Sequence, residues 1–591
     1  MYSSGSRSVS SRIVRPVDRA APWGPDSVYR LDPMRYRAIV EWFAPGALAM
    51  LVMLPRLASP QFGLLDDGLT LQTGRETVGR WASVLGLIPE TGRFFPAYWL
   101  VYSVVFALVG PRPLAFFAVN VLLFAGLLAL LARLVRLGGG SPAQTILTLV
   151  LFATCGPAIE AFYTLSKAEP LLLVWIGLSV LAAAASTREA APARRVALII
   201  ASGLALVFAY ATKETSAIVL PISLAWLAIE RGSRAARPGW GRFAMTYAAL
   251  NVAAGAVFVV LRWRYAARAL GEGTYTRAYA LRLETLGPAL FRIGAWLIRD
   301  FLFLAPLVLI ALMTIRAAPA DSRRLMLYAG VWMLAWLAVY APWPATFEYY
   351  LLPFAFGASI FGGVVAHDLW RRCRLASSSA ARRLAWSALA ATALLWLPGI
   401  VNAAADARVQ LVVDRANAEL VDFLARLPRS SRIVLNSTSA NEYLSELPLH
   451  LAELKRRPDL VVQHVGAAVL SGHTTRDVFV ATAMIQQPPG PTVRIAVHEA
   501  GVPRDAKRLA EMLGTSGDAV YTTERRARVV EIAMHRLLCP LARAPFVDPT
   551  YCPGDRGIFT ARTFAYGWRV DRVPEPSAAR PRSDIRPERP A

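Results

Sequence analysis

The chain has 591 residues, 55% of them hydrophobic and 18% charged, with a mean hydropathy of +0.41. A charged share below the roughly 25% of soluble domains excludes a disordered or fibrous chain and argues against one compact soluble domain, which leaves a multi-span helical membrane protein. Of the net charge of +24, +19 lies in the first 403 residues and only +5 in residues 404–591. The basic excess therefore sits in the apolar part, where it reports topology and not nucleic-acid binding.

Residues 1–38 are rich in Ser, Arg and Pro and read as a disordered cytoplasmic tail. Apolar runs near 39–56, 113–132, 142–156, 169–186, 196–211, 215–230, 243–262, 300–315, 325–341, 349–369 and 384–402 read as eleven spans, on the rule that a bilayer core takes about 20 apolar residues per helix. Pro96 to Gly110 is shorter, aromatic and closed by Gly-Pro-Arg-Pro, which suits an interfacial or re-entrant helix. With that run not crossing, loops on the amino-terminal side hold 24 Lys and Arg and the opposite loops 12. Positive charge marks the cytoplasmic side, so the amino terminus is expected inside and residues after 404 outside.

The long first external loop, 57–112, carries Asp66 and Asp67 in a Leu-Leu-Asp-Asp-Gly-Leu-Thr stretch. Adjacent carboxylates suit taking a proton or holding a cation, and equally suit a turn capping a helix over 69–85. Arg93 stands before the aromatic run, placed to grip a lipid phosphate or to anchor the helix. Only four lysines stand against 60 arginines, and two of them, Lys167 and Lys213, fall in the next external loops beside Glu169 and Glu214. Compact ammonium groups there point weakly to a phosphate or sugar pocket, against plain snorkelling at span ends. Arg299 and Asp300 at the head of a span are either an amphipathic surface pair or a buried functional pair. Glu348 is expected at the external interface, with Tyr349 and Tyr350 in an aromatic belt.

Residues 404–573 read as a separate α/β domain, and 574–591 as a disordered tail. Helices are expected over 404–427, 441–457 and 504–514, and strands over 432–436, 460–465, 478–483 and 493–497; the run near 529–532 fits either. Cys539 and Cys552 stand close enough to pair in an oxidising compartment, or remain two free thiols. No metal-ligand spacing links cysteines or histidines.

Taken in order, the acidic pair, Gly-Arg-Phe-Phe-Pro-Ala-Tyr-Trp at 92–99, Lys-Ala-Glu-Pro-Leu-Leu at 167–172, Lys-Glu-Thr at 213–215 and Tyr-Leu-Leu-Pro at 350–353 resemble the GT-C fold of membrane glycosyltransferases. The protein O-mannosyltransferases and bacterial aminoarabinose transferases are of this kind. The resemblance covers about residues 40–370. It implies an all-α polytopic domain over 39–403 in a bacterial inner membrane, an extracytoplasmic α/β domain after it, and transfer of a sugar from a polyprenyl-phosphate donor to an acceptor glycan, lipid or protein, with inversion. By the same resemblance Asp66 is the base or acceptor-positioning group with Asp67 beside it, and Arg93 and Lys213 hold the phosphate. Lys167, Glu169, Glu214, Arg299, Glu348 and Tyr350 complete the candidate binding residues. Asp-Asp stands where many relatives have Asp-Glu, and Glu-Tyr-Tyr where a basic residue often precedes the tyrosine. Some members of the fold use a divalent metal and others do not, and no metal is assigned. A lipid-linked saccharide ligase or polymerase, a transporter and a non-catalytic scaffold are the competing readings. A transporter would show paired repeats and mid-membrane charges, and neither is seen.

Overall fold

The computed structural model describes residues 39–64, 66–85, 94–232, 238–266, 283–343, 347–375, 378–426, 429, 432–436, 440–464, 477–481, 519–526 and 565–572. Helices dominate. A π-helical turn, Ile39–Phe43, runs into α1, Ala44–Ala58. Then come α2, Asp67–Thr77, and α3, Pro96–Val109, followed by the long α4, Pro113–Leu137. The pair α5, Pro142–Ala153, and α6, Gly156–Tyr163, is bent by 61°. After it stand α7, Glu169–Ser186, α8, Pro192–Tyr210, α9, Val219–Gly232, and α10, Pro238–Ala266. The helical part closes with α11, Leu283–Phe301, α12, Leu304–Thr314, α13, Ala320–Tyr340, α14, Leu352–Leu375, and α15, Ser379–Ala425.

Each of the eleven expected spans falls on a helix. Six helices among the described residues are long and apolar enough to cross a membrane, or seven if the bent α5–α6 pair is one span. The others fall short for local reasons. Helix α1 follows a π turn, α9 follows a 3-10 turn over Glu214–Ile218, and α13 opens on Asp321, Arg323 and Arg324. The expected 69–85 helix ends at Thr77, because Gly79 takes a left-handed φ of 82° before a 3-10 turn at Trp81–Leu85. Helix α3 has the expected bounds, entering on Pro96 and leaving at Gly110, φ 65°. Its 14 residues span only about 21 Å at 1.5 Å per residue, short of a bilayer core.

The core is aromatic. Trp226 stacks on Tyr328 at 4.8 Å and on Trp332 at 6.4 Å, while Phe124 stacks on Phe162 at 4.3 Å. Ser141 and Gln144 form a capping box that starts α5.

The carboxyl-terminal part is a five-stranded sheet in the order β2-β1-β3-β4-β5. Strands β1, Arg432–Asn436, β2, Val461–His464, and β3, Asp477–Ala481, pair in parallel with Ile433 opposite Val462 and Val478. Helix α16, Ala440–Lys455, connects β1 to β2. Strand β4, Ala519–Arg526, is parallel to β3, and β5, Ala565–Arg572, closes the edge antiparallel. These last two strands carry Glu524, Arg525, Arg526, Arg569, Asp571 and Arg572, so they lacked the apolar pattern that marks a strand. The expected elements at 493–497, 504–514 and 529–532, and Cys539 and Cys552, lie outside the described residues. The domain boundary expected at 404 falls inside α15, which runs unbroken from the apolar segment 379–404 to Ala425.

Candidate active site

Loops from one end of the helical bundle converge on two buried charge clusters. The first is built around the acidic pair. Asp67 opens α2, is 2% exposed, and turns its Oδ2 back to accept from the Gly63 amide at 2.7 Å. Its Oδ1 accepts from Ser166 Oγ at 3.3 Å. Asp414 of α15 shares the same side of Gly63, where a Cβ would lie 3.0 Å from Asp414 Oδ1 and 3.5 Å from Asp67 Oδ2, and its Oδ1 accepts from Gln410 at 2.9 Å. Arg56, fully buried, donates to Asp414 Oδ2 at 2.6 Å and to the Gln61 carbonyl at 2.9 Å, while its guanidinium lies 3.8 Å over the Phe117 ring. Burial first, and then the charge of Asp414, push the Asp67 carboxyl up to about 8, against the pull of the Gly63 amide, Lys167 and Arg56. Asp414 is also raised by burial, with Arg56 opposing.

Asp66 is held differently. It is the N-cap residue of α2 in the left-handed region, φ 61°, and its side chain makes no capping bond. Its carbonyl is saturated instead, accepting from Thr70 N at 3.0 Å, Thr70 Oγ1 at 2.9 Å and Ser166 Oγ at 3.1 Å. Among the described residues its carboxylate has no hydrogen bond or ion pair.

The second cluster surrounds Arg299, which is 4% exposed. Its Nε donates to Asp300 at 2.9 Å, its Nη1 and Nη2 to the two oxygens of Glu348 at 3.2 and 3.0 Å, and its Nη2 to Asp406 at 2.5 Å. A guanidinium fork is the group that can serve three carboxylates at once. Buried Glu160 on α6 adds a fourth acid to the field of this cluster. Gly156 permits the packing, because a Cβ there would lie 2.0 Å from Glu348 Oε1 and 2.8 Å from Arg299 Nη2. So Arg299 and Asp300 are a buried pair, not an amphipathic surface pair. Glu348 is 1% exposed and turned into the cluster, not out to the interface.

Lys167 stands between the clusters, and Lys213 lines the tyrosines beside it. The Lys167 ammonium sits 4.5 Å over the Tyr349 ring, within the electrostatic reach of both Asp67 and Glu160. Lys213 pairs with Glu169 and lies 4.1 Å over the Tyr350 ring. The sequence neighbours suggested Lys167 with Glu169 and Lys213 with Glu214; the fold instead joins Lys213 to Glu169, from the loop after α8 to the head of α7. Tyr350 is buried and stacked on Tyr340 at 5.1 Å, so it walls the Lys213 site and is no lipid-facing belt residue. Glu214, half-buried, opens the 3-10 turn after Lys213. Arg93 lies outside the described residues, but the start of α3 is tied to this region by Ala97 N donating to the Ala211 carbonyl at 3.0 Å.

Sequence reasoning missed Arg56, Glu160, Asp406, Asp414, Glu446 and His450. A charge inside an apolar run was a usable signal for Arg56. The last four stand in the part read as a separate domain. The divalent metal of some GT-C members finds no fit here: among the described residues no group of three or more His, Cys, Asp or Glu is arranged to ligate one, and the densest acids enclose a guanidinium.

The architecture is that of a multi-pass membrane protein in which two buried charge clusters join the helical bundle to the chain beyond it. No family model and no curated protein matches the sequence. Among solved structures the chain is similar to ArnT from Cupriavidus metallidurans bound to undecaprenyl phosphate, at 15% identity over 86% of this chain and 99% of that one, with a TM-score of 0.46. It is also similar to the archaeal oligosaccharyltransferase AglB from Archaeoglobus fulgidus in complex with an inhibitory peptide and a dolichol-phosphate, at 11% identity over 83% and 69%, with a TM-score of 0.44.

Proposed function

We propose that the protein is an integral-membrane glycosyltransferase that moves a sugar from a polyprenyl-phosphate donor to an acceptor glycan, lipid or protein on the extracytoplasmic face. One observation supports this reading: Asp66, whose main-chain carbonyl accepts from Ser166 Oγ, keeps a carboxylate without a hydrogen bond or ion pair among the described residues, and the next residue of that loop, Lys167, sets its ammonium over the Tyr349 ring. A sugar on a lipid phosphate is already activated, so the protein must place the acceptor in line, take its proton and neutralise the leaving phosphate. Asp66 receives the acceptor proton as the acceptor oxygen attacks the anomeric carbon and the bond to the phosphate breaks, which inverts that carbon. Lys167, without a salt bridge among the described residues, meets the leaving phosphate; Lys213, neutralised by Glu169, shapes the wall beside it. The Arg299 cluster holds the floor rigid. Sidedness is supported by the 24 to 12 distribution of basic residues.

Transfer from a polyprenyl-phosphate sugar by purified protein, with donor binding measured in parallel, tests the reading. Asp66→Asn is expected to cut turnover about 100- to 10,000-fold with donor binding retained. Lys167→Ala is expected to weaken donor binding as well. Wild-type turnover by Asp66→Asn removes the base assignment, and a wild type that neither binds nor consumes the donor returns the chain to the scaffold or transporter readings. In sealed vesicles of known orientation, transfer on the side of the 231–242 loop would reverse the topology.

A further inference from the structure

An aspartate at the N-cap of a helix ordinarily lies in the extended region and spends its carboxylate on the amides of the first turn. Asp66 does neither. At φ 61° its carboxylate leaves the helix end, and the Gly68 amide donates instead to Glu446 Oε2 at 2.6 Å, from a residue 378 positions later in the chain. Burial first, and then the charges of Asp66 and Asp67, push the Glu446 carboxyl well up, against the pull of the Gly68 and Leu69 amides. Glu446 is 4% exposed and carried by α16, which rests directly on the first turn of α2: a Cβ on Gly68 would lie 2.7 Å from Glu446 Oε2 and 2.9 Å from His450 Cδ2. In the last turn of α2, Arg75 Nε meets Glu453 of the same helix α16 at 2.9 Å. The left-handed backbone is over-determined from the opposite side by Ser166, itself at φ 62°, whose hydroxyl donates to the Asp66 carbonyl. A non-glycine residue in this region carries a cost that persists only where surrounding contacts enforce it.

We propose that Glu446 is a positioning residue that caps α2 in place of Asp66, and so keeps the Asp66 carboxylate off its own helix and open to the acceptor. The exchange satisfies the Gly68 amide at the α2 amino terminus with an oxygen of Glu446 and so does not consume the carboxylate of Asp66. The kinetic consequence rests on the reading of Asp66 as the base; the capping exchange does not.

The test uses the full-length protein in lipid nanodiscs. Glu446→Ala leaves the Gly68 amide without a partner, and Asp66 is expected to fold back onto it. Turnover should drop about 100-fold, the lower end of what loss of a general base costs, while KM for the polyprenyl-phosphate donor stays within about twofold. Glu446→Gln keeps an acceptor oxygen and should restore most of the turnover. In the background of Asp66→Asn, Glu446→Ala should cost nothing further. An equal loss for Gln and Ala, or a full additive loss in the double variant, overturns the proposal. A structure of Glu446→Ala decides the exchange independently of activity: Asp66 on the Gly68 amide supports it, and Asp66 still left-handed with its carboxylate away overturns it. If Asp66→Asn transfers at the wild-type rate, the base reading fails and this structural arm alone decides the capping. Where Glu446→Ala does not fold, Glu446→Leu, which keeps the volume, carries the same measurements.

Discussion

Asp66 and Asp67 are neighbours of identical chemistry, and their surroundings give them opposite tasks. The carboxyl of Asp67 is enclosed with Asp414 beside Gly63, so near neutral pH the folded chain holds a proton there. The unfolded chain releases that proton near the ordinary carboxylate value of about 4. Between those limits the folded state binds more protons than the unfolded one. Stability from this site is therefore full at low pH and falls as pH rises toward about 8. Thermal unfolding of the purified protein between pH 5 and 9 should show that decline, and Asp67→Asn, which cannot ionise, should flatten it. A variant with the wild-type slope would mean that Asp414, Glu446 or another acid carries the dependence. Buried His450 runs the other way: desolvation lowers it to about 4, so it stays neutral under the same conditions.

The breaks in elements position the chemistry more than the elements do. Helices α5 and α6 are one apolar run bent at Thr154–Cys155, and the bend brings Glu160 and Gly156 to the Arg299 cluster. Gly156 is required by close approach, since its α6 backbone abuts the ion pair with no room for a methyl group. Gly156→Ala should push Glu348 and Arg299 apart and cost about 3–5 kcal/mol, the range for a broken buried pair, read as a lowered unfolding midpoint. A midpoint equal to wild type would show that α6 can shift without disturbing the cluster. The Ser166–Lys167 turn is a second such break: Ser166 engages the acidic pair, while Lys167 faces the tyrosines.

At the scale of the whole molecule, the two clusters tie the helical bundle to the chain beyond it. Asp406 and Asp414 on α15 neutralise Arg299 and Arg56, and Glu446 on α16 caps α2. Truncation after residue 403 would leave one guanidinium without its carboxylate and the other short of one, at about 3–5 kcal/mol for a broken buried pair. The truncated chain is expected to yield little folded protein and no sugar transfer. A truncated protein with the full-length unfolding midpoint would show instead that residues after 403 are dispensable to the bundle.

Hydropathy alone located the helices, because a bilayer imposes length and apolarity on each segment separately. The parallel strands at 432–436, 461–464 and 477–481 were legible because they are short runs rich in Ile, Val and Phe, the β-branched and aromatic residues that strands favour. Motif order likewise led to Asp66, Lys167 and Lys213, and the charged pair at the head of a span to Arg299. Partners were not legible. Lys213 meets Glu169 across 44 positions, Arg299 meets Asp406 across 107, and Arg56 meets Asp414 across 358. A buried charge constrains only that some opposite charge be near, and local sequence does not record which distant segment supplies it. Tertiary packing made those choices, and with them it decided that of two adjacent aspartates one is enclosed and the other left open.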